Sequence, residues 1–259
     1  MVDFLDTLAS DAKKTIASGY YTVLARNIAP FVSLKKAILE SKLCPIITEI
    51  KKASPSAGAL RRDLNVAEVA KAMEKGGAAG ISVLTEPKHF EGSLELLSEA
   101  RKVVRLPVLM KDIILSPVQL EAASRSGADA VLLIQALLDR GYCSCDAHEM
   151  IHEAHSRNLE VLLETHNEKE FRSAVETDAD LVGINNRNLG TLTVNLDVTK
   201  EILRRNDTKG KIVVSESGIK TPEDVSYLRE CGAHAFLIGS ALMLADDVER
   251  KVKEFVHAV

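Results

Sequence analysis

From about residue 44 onward, short apolar runs alternate with longer segments of helical period. The runs are PIITEIK (45–51), GISVLTE (80–86), PVLMKDII (107–114), AVLLIQAL (130–137), EVLLETH (160–166), LVGINNR (181–187), KIVVSES (211–217) and HAFLIGS (234–240). Runs of this length, rich in Ile, Val and Leu and apolar almost throughout, predict strands buried on both faces, the mark of a parallel sheet. Between them, NVAEVAKAMEKGG, SLELLSEARKVV, SPVQLEAASRSG and EDVSYLRECGA repeat their apolar residues at helical spacing. Ser93, Ser116, Asn167 and Thr221 are expected N-caps, with Pro117 and Pro222 at first helical positions. Gly76, Gly127 and Gly232 are expected to end helices in the left-handed conformation.

Eight such strand–helix units in about 215 residues predict an α/β protein, a single-domain (β/α)8 TIM barrel, which commonly needs about 250 residues. An open doubly wound sheet is the competing arrangement, but no GxGxxG follows the first strand. Residues 1–44 precede the first strand and read as helical in DFLDTLASDAKKTIA and SLKKAILES. They are expected to form an N-terminal extension packed on the barrel of residues 45–259, one domain in all. No second enzyme is expected after the last helix, DDVERKVKEFVHAV.

The chain is 46% hydrophobic and 27% charged, a globular balance. Its formal net charge of −4 argues against a nucleic-acid partner, so an anionic substrate must be met by local cations. The N-terminus lacks the basic start and apolar core of a secretory signal, and no apolar run reaches the roughly 20 residues that span a bilayer. With four cysteines, a reducing compartment is expected rather than a disulfide framework. These features predict a cytoplasmic protein with no membrane partner, and a monomer is expected.

A barrel carries its active site at the C-terminal ends of its strands, so what terminates each apolar run decides the chemistry. The first run ends in Glu49 and Lys51, two apart and hence on one face; the third in Lys111; the fifth in Glu164. The sixth ends in Asn185 and Arg187, and the seventh in Ser215, Glu216 and Ser217. Any one of these could mark only the point where a strand meets solvent. Glu49, Lys51, Lys111 and Glu164 together interrupt otherwise apolar runs, which favours a polar cluster converging in one mouth.

The last two strands carry a second signal. SESGI and LIGSAL place Ser217, Gly218, Gly239 and Ser240 in the loops where barrels often bind phosphate. Glycine lets the backbone approach an anion, and a short helix starting near Ser240 would turn N–H groups toward it. Ser54, in the loop after the first strand, could add a donor. Ordinary tight turns are the plainer explanation of each pair taken alone.

With these residues in hand, the sequence resembles the indole-3-glycerol phosphate synthase family. The resemblance rests on EIKKASPSAG (49–58), LTEPKHFEGS (84–93), VLMKDII (108–114), LLETHNE (162–168), GINNRNL (183–189), SESGI (215–219) and LIGSALM (237–243), in order along nearly the whole chain. It implies a phosphorylated small-molecule substrate, 1-(2-carboxyphenylamino)-1-deoxyribulose 5-phosphate. It further implies ring closure, decarboxylation and dehydration, with no metal and no organic cofactor. Lys111 is then the candidate acid for ring closure, with Lys51 and Glu164 serving dehydration. Glu49 would orient a lysine, and Asn185 and Glu216 would complete the polar network. Ser217, Gly218, Gly239 and Ser240 would hold phosphate, Arg187 would position the substrate, and Phe90 and Leu132 would wall the aromatic ring. A lysine of ordinary pKa near 10.4 is a reluctant acid at neutral pH, so a neighbouring cation or desolvation is expected to lower it. Two positions depart from the family pattern. Ile113 stands where Phe is frequent, implying a looser aromatic pocket, and Asn188 replaces an Asp, putting a loop contact in question.

Other readings use the same residues differently. A Schiff-base aldolase would use Lys111 as nucleophile and give a borohydride-trappable adduct. Phosphoribosylanthranilate isomerase would, by family resemblance, want an early-strand Cys as base and an Asp as acid, where this chain has Glu49 and Lys51. A scaffold protein would need no converging charges. Cys143, Cys145, His148 and His152 form CxC followed by HxxxH, with His155 one turn further, a candidate metal cluster. The same stretch reads more simply as an amphipathic helix burying Met150, Ile151 and Ala154, and its spacing matches no standard zinc module.

Overall fold

A computed structural model describes residues 3–22, 30–54, 58–59 and 64–258. Two helices come first, α1 (Phe4–Ala17) and α2 (Leu34–Leu39). Strand β1 (Ile46–Ile50) leads into a short antiparallel hairpin of β2 (Ala53–Ser54) and β3 (Gly58–Ala59). Alternation then sets in: α3 (Val66–Lys75), β4 (Gly80–Leu84), α4 (Leu94–Val103), β5 (Val108–Lys111), α5 (Pro117–Ser126) and β6 (Ala130–Ile134). Next come α6 (Gln135–Asp139), α7 (Ala147–His155), β7 (Glu160–Thr165), α8 (Glu168–Ala174), β8 (Leu181–Asn185) and α9 (Asp197–Arg205). The chain closes with β9 (Ile212–Glu216), α10 (Pro222–Glu230), β10 (Ala235–Ile238), α11 (Ser240–Met243) and α12 (Val248–Val256). The eight long strands pair in parallel, and β10 returns to β1 to close the barrel. The (β/α)8 expectation holds.

Strand periodicity sorts the side chains into two shells. Ile46, Ile50, Ile81, Val83, Val131, Leu133, Val161, Leu163, Val213 and Phe236 point outward into the layer beneath the helices. Ile47, Leu109, Leu132, Leu162, Leu181, Val214 and Leu237 point inward and fill the barrel. Each step of two along an inward face reaches the mouth: Ile47 to Glu49 and Lys51, Leu109 to Lys111, Leu162 to Glu164, Val214 to Glu216, Leu237 to Gly239. The polar cluster is thus the top layer of the barrel's own interior, set by strand parity.

The two leading helices pack at opposite ends. Helix α2 lies at the strands' N-terminal end, where its Ser33 cap hydroxyl donates to Glu160. Leu34 there occupies the space that a Cβ on Gly80 would need, 2.6 Å from its Cδ1. Helix α1 buries Leu5, Leu8, Ala9 and Ala12 against the barrel's inner cluster. Its Asp11 binds Lys88 at 2.6 Å and His89 at 3.0 Å, in the loop after β4. Tyr20 donates to Thr85 O and Tyr21 to Asp112, each at 3.0 Å, tying the segment after α1 to β4 and β5.

Asn167, Thr221 and Ser93 each accept an amide two or three residues into the helix, and Gln119 accepts from Ser116 N, as expected of caps. Gly127 and Gly232 have φ of 93° and 102°, the left-handed stop. Gly76 does not: its φ is −67°, and the turn is made by Gly77 at 94°. Gly76 is instead required for packing, since a Cβ there would lie 2.6 Å from Val252 Cβ of α12.

A buried ion pair braces the base. Arg101 Nη1 donates to Asp129 at 3.1 Å and to Leu106 O at 2.8 Å, while Asp129 accepts from Val108 N and Val32 N at 2.8 Å. Removing only the cation leaves a buried, uncompensated carboxylate. Arg101→Met is therefore expected to lower the unfolding free energy by about 3–5 kcal/mol in urea titrations. Substrate turnover per folded molecule should be unchanged, because the pair lies at the far end from the mouth.

Candidate active site

Two buried carboxyl groups flank one ammonium. Lys111 Nζ, from the end of β5, lies 3.1 Å from Glu164 Oε2 on β7 and 3.1 Å from Glu216 Oε2 on β9. Across the mouth, Lys51 Nζ pairs with Glu49 Oε1 at 2.6 Å. Only 18% of the Lys111 side chain and 15% of Lys51 is exposed, enough for a bound molecule to reach both from the open side.

The electrostatics follow from this packing. Burial by itself would depress the Lys111 ammonium, but Glu164, Glu216 and Glu49 outweigh it and hold the group well above its ordinary value. The expected downward shift is therefore reversed: the nearest charges are anions, not cations. Burial pushes the Glu216 carboxyl up to about 8, with Glu164 adding to the rise against the pull of Lys111. Burial would raise Glu164 too, but Lys111 and His166 override it and keep that carboxylate ionised well below the usual range. The network thus separates two carboxyls by function, one ionised and one holding a proton near neutrality.

Glycines make the space for this layer. A Cβ on Gly183 would collide with Glu216 Oε1, and one on Gly239 with Glu49 Oε1. Ser217 and Gly218 both adopt left-handed backbone, φ 66° and 86°. That strained bend is anchored from below, where Asn186 Nδ2 donates to Ser217 O at 3.2 Å and to Ser215 Oγ at 3.0 Å. Asn186 Oδ1 accepts from Thr199 Oγ1 at 2.8 Å, so its amide is fixed on both sides.

These groups line one cavity of about 650 Å³, a size suited to a small phosphorylated molecule. Glu49, Lys51, Phe90, Lys111, Leu132, Glu164, Asn185, Arg187, Glu216, Ser217, Gly218, Gly239 and Ser240 all face it. Ser54 is described by its backbone alone, and its side chain falls outside the described part of the structure. Ile113 is buried in the wall beside Leu132 and Ile134, and Phe4 and Leu8 of α1 join Phe90 there. The space left by the smaller Ile113 side chain thus has aromatic neighbours from elsewhere. Asn188 Oδ1 accepts from Gly190 N at 2.8 Å and Thr191 N at 3.0 Å, the turn-closing bonds an Asp would make.

Sequence reasoning missed Phe4, Leu8, Asn186 and His166. Phe4 and Leu8 lie on a helix outside the eight-strand beat, and only the packing of α1 brings them to the mouth. Asn186 points beneath the loop after β9 rather than into the cavity. His166 was open to discovery, because it stands two residues after Glu164, the same spacing that singled out Lys51 after Glu49.

The HxxxH part of the stretch lies on α7, which buries Met150, Ile151 and Ala154 as expected, while Cys143 and Cys145 precede the helix. His148, His152 and Cys145 border a separate shallow surface hollow, while His155 pairs with Asp180 at 2.9 Å. Among the described residues, no three His, Cys, Asp or Glu side chains converge as metal ligands.

Known proteins bear on this site. A family model described as indole-3-glycerol phosphate synthase matches residues 8–255. The indole-3-glycerol phosphate synthase of Neisseria gonorrhoeae (strain NCCP11945) is 43% identical over 243 residues, 93% of this chain and 91% of that protein. The enzyme of the same name from Caldanaerobacter subterraneus subsp. tengcongensis is 40% identical over 250 residues, 95% of this chain and 93% of that one. Among solved structures, the N-acetylmannosamine-6-phosphate 2-epimerase from Clostridium perfringens aligns with TM-score 0.60 at 14% identity, covering 84% of this chain and 93% of its own. The thiamine phosphate pyrophosphorylase from Pyrococcus furiosus gives 0.59 at 20% identity, covering 84% and 95%. These two share the barrel fold. The family match, running from α1 through α12 and accompanied by relatives of 40% and 43% identity, is of a different order: the chain belongs to the indole-3-glycerol phosphate synthase family.

Proposed function

We propose that this protein converts 1-(2-carboxyphenylamino)-1-deoxyribulose 5-phosphate to indole-3-glycerol phosphate, a carboxy-lyase reaction of tryptophan biosynthesis. The observation that carries the reading is a charged lysine held between an ionised and a protonated carboxyl, at the floor of a cavity with one apolar wall and one glycine-rich rim.

The chemistry uses those groups in sequence. The aryl carbon bearing the carboxylate attacks the ketone carbon, forming the ring bond while the ketone oxygen becomes an alkoxide. Lys111 delivers its proton there. Its raised pKa is no obstacle, because an alkoxide is far more basic than any ammonium. The carbon–carboxylate bond then breaks, its electron pair restoring the aromatic ring as CO2 leaves. In the dehydration, Lys51 protonates the departing hydroxyl and the ionised Glu164 removes a proton from the adjacent ring carbon. Loss of hydroxide leaves a cation whose neighbouring C–H is acidic, so a carboxylate of low basicity suffices. Glu49 fixes Lys51, and Asn185 and Glu216 complete the hydrogen-bonding floor.

The loops after β9 and β10 suit the phosphate. Ser217, Gly218, Gly239 and Ser240 offer hydroxyls and backbone amides at the cavity rim, and α11 is a single turn, so the donors themselves rather than a helix dipole would do the binding. Arg187 would position the substrate from the loop after β8. Phe90, Leu132, Ile113 and Phe4 would hold the aromatic ring. No cofactor or metal enters this scheme. No helix among the described residues is long and apolar enough to cross a membrane. We read the chain as working in the cytoplasm as a monomer, with the extension and barrel acting as one unit.

Fluorescence tests the reading directly. Purified protein with the carboxyphenylamino sugar phosphate should generate indole emission together with one CO2 per turnover. Absence of product from folded protein would refute the assignment.

A further inference from the structure

The two oxygens of Glu164 are held differently. Oε2 meets Lys111 Nζ, whereas Oε1 lies 3.1 Å from Nε2 of His166, two residues further along the strand face. The His166 ring is 11% exposed, and its Nδ1 lies 3.2 Å from Glu170 Oε2 in the first turn of α8. The same Glu170 oxygen accepts His166 N at 2.8 Å, and Asn167 Nδ2 donates to the other. Asn167 Oδ1 in turn accepts Glu170 N at 3.0 Å. Carboxylate, imidazole and carboxylate form a line from the helix start to the cavity floor, rigid at its outer end.

We propose that His166 is a positioning residue: its imidazolium bridges Glu164 to Glu170 and fixes the Glu164 carboxylate in the orientation the reaction uses. This rests on the proposed role of Glu164 in dehydration. The need for a second cation comes from the chemistry. Once Lys111 has given its proton to the ketone oxygen, Glu164 has lost the positive charge on Oε2. His166 remains charged on Oε1, so Glu164 stays an anion and is ready as a base for the later step. Burial would discharge the ring, but Glu164 and Glu170 overcome it and raise its pKa to about 9. The other charges around this line are Lys111 on β5 and Glu216 on β9, Lys169 and the Glu168–Arg172 pair on α8, and exposed Asp139 on α6, which accepts from Gln135. His166 Nε2 is buried without an aligned hydrogen bond in the free protein, so a small turn of the ring toward Oε1, 3.1 Å away, would complete the bridge.

The test compares wild type, His166→Gln and His166→Lys as purified full chains, measuring turnover against pH, with 15N-labelled histidine spectra of the free enzyme. In His166→Gln, kcat should fall at least about tenfold with KM within a factor of about two. The acidic limb of kcat should also move up by about one to three pH units, the shift that losing one close opposite charge produces. His166→Lys should return that limb toward its wild-type position. The wild-type imidazole should stay protonated to about pH 9. An unchanged limb in His166→Gln, or a His166 ring that titrates at or below 6.5, overturns the inference. A change in melting temperature with no movement of the limb does the same, since it reveals only a structural part. Failure of the parent reading looks different: wild type would form no product, while the 15N titration would still report on the bridge.

Discussion

Lys111→Ala should reduce indole-3-glycerol phosphate formation at least about 10³-fold while the barrel stays folded. Among the described residues, the nearest other acids are poorly placed to replace the lost one. Lys51 is engaged by Glu49 at 2.6 Å on the opposite side of the mouth, and Glu216 is 1% exposed behind Lys111. The fold survives because Glu216 can keep its proton and Glu164 keeps its pairing with His166, and this gives the variant a distinctive pH signature. Without the ammonium, Glu216 loses the group that pulls its raised pKa down, while His166 still holds Glu164 as an anion. The Glu216 contribution is fully present only below the unfolded value near 4.5 and is lost as pH rises through the raised value. In wild type, Lys111 opposes the rise at Glu216, so that loss is smaller. Urea unfolding at pH 6 and pH 8 should therefore show a larger deficit for the variant at pH 8. Circular dichroism should be unchanged at pH 6. Wild-type turnover in Lys111→Ala would end the proposed mechanism.

Gly183→Ala should have nearly as large an effect on catalysis from a single methyl group. The added Cβ would collide with Glu216 Oε1 and would also sit 3.3 Å from its Cδ and 3.4 Å from the Glu164 Cα. Glu216 can relieve the clash only by turning its carboxyl into the cavity, away from Lys111. A fall in kcat of about 10²-fold is expected, with a stability cost of about 1–3 kcal/mol for overpacking. The cause can be separated by a double-mutant cycle with Glu216→Ala, which empties the space. In that background Gly183→Ala should have little further effect on kcat or on the urea midpoint. Strict additivity would show that Gly183 acts through something other than Glu216.

Much of this was legible before any coordinates, and the reason is parity. Strand periodicity of two is local, so the spacing of Glu49 and Lys51, or the place of Lys111 after Leu109, already reports a shared face. The helix caps and most of the glycine stops are likewise local, settled by hydrogen bonds within one turn. Gly76 shows where local reasoning ends: a stop and a packing glycine look alike in sequence, and only the presence of Val252 across the α3–α12 contact distinguishes them. Phe4 and Leu8 are similar, since their helical pattern marks a buried face without saying against what.

The sequence alone determined the barrel, the strand ends and the residue types assembled at the mouth, because each depends on neighbours a few positions away. What only the tertiary structure decided is the charge each group carries. Lys111 was expected to be pushed toward neutrality, and it is held as a firm cation because three carboxylates from β1, β7 and β9 converge on it. Which of Glu164 and Glu216 keeps a proton depends on whether His166 stands on one side of it, and which glycine makes room depends on a carboxylate one strand away. Electrostatic energy falls with distance through space, not along the chain, so protonation state belongs to the fold even when every residue involved can be read from the sequence.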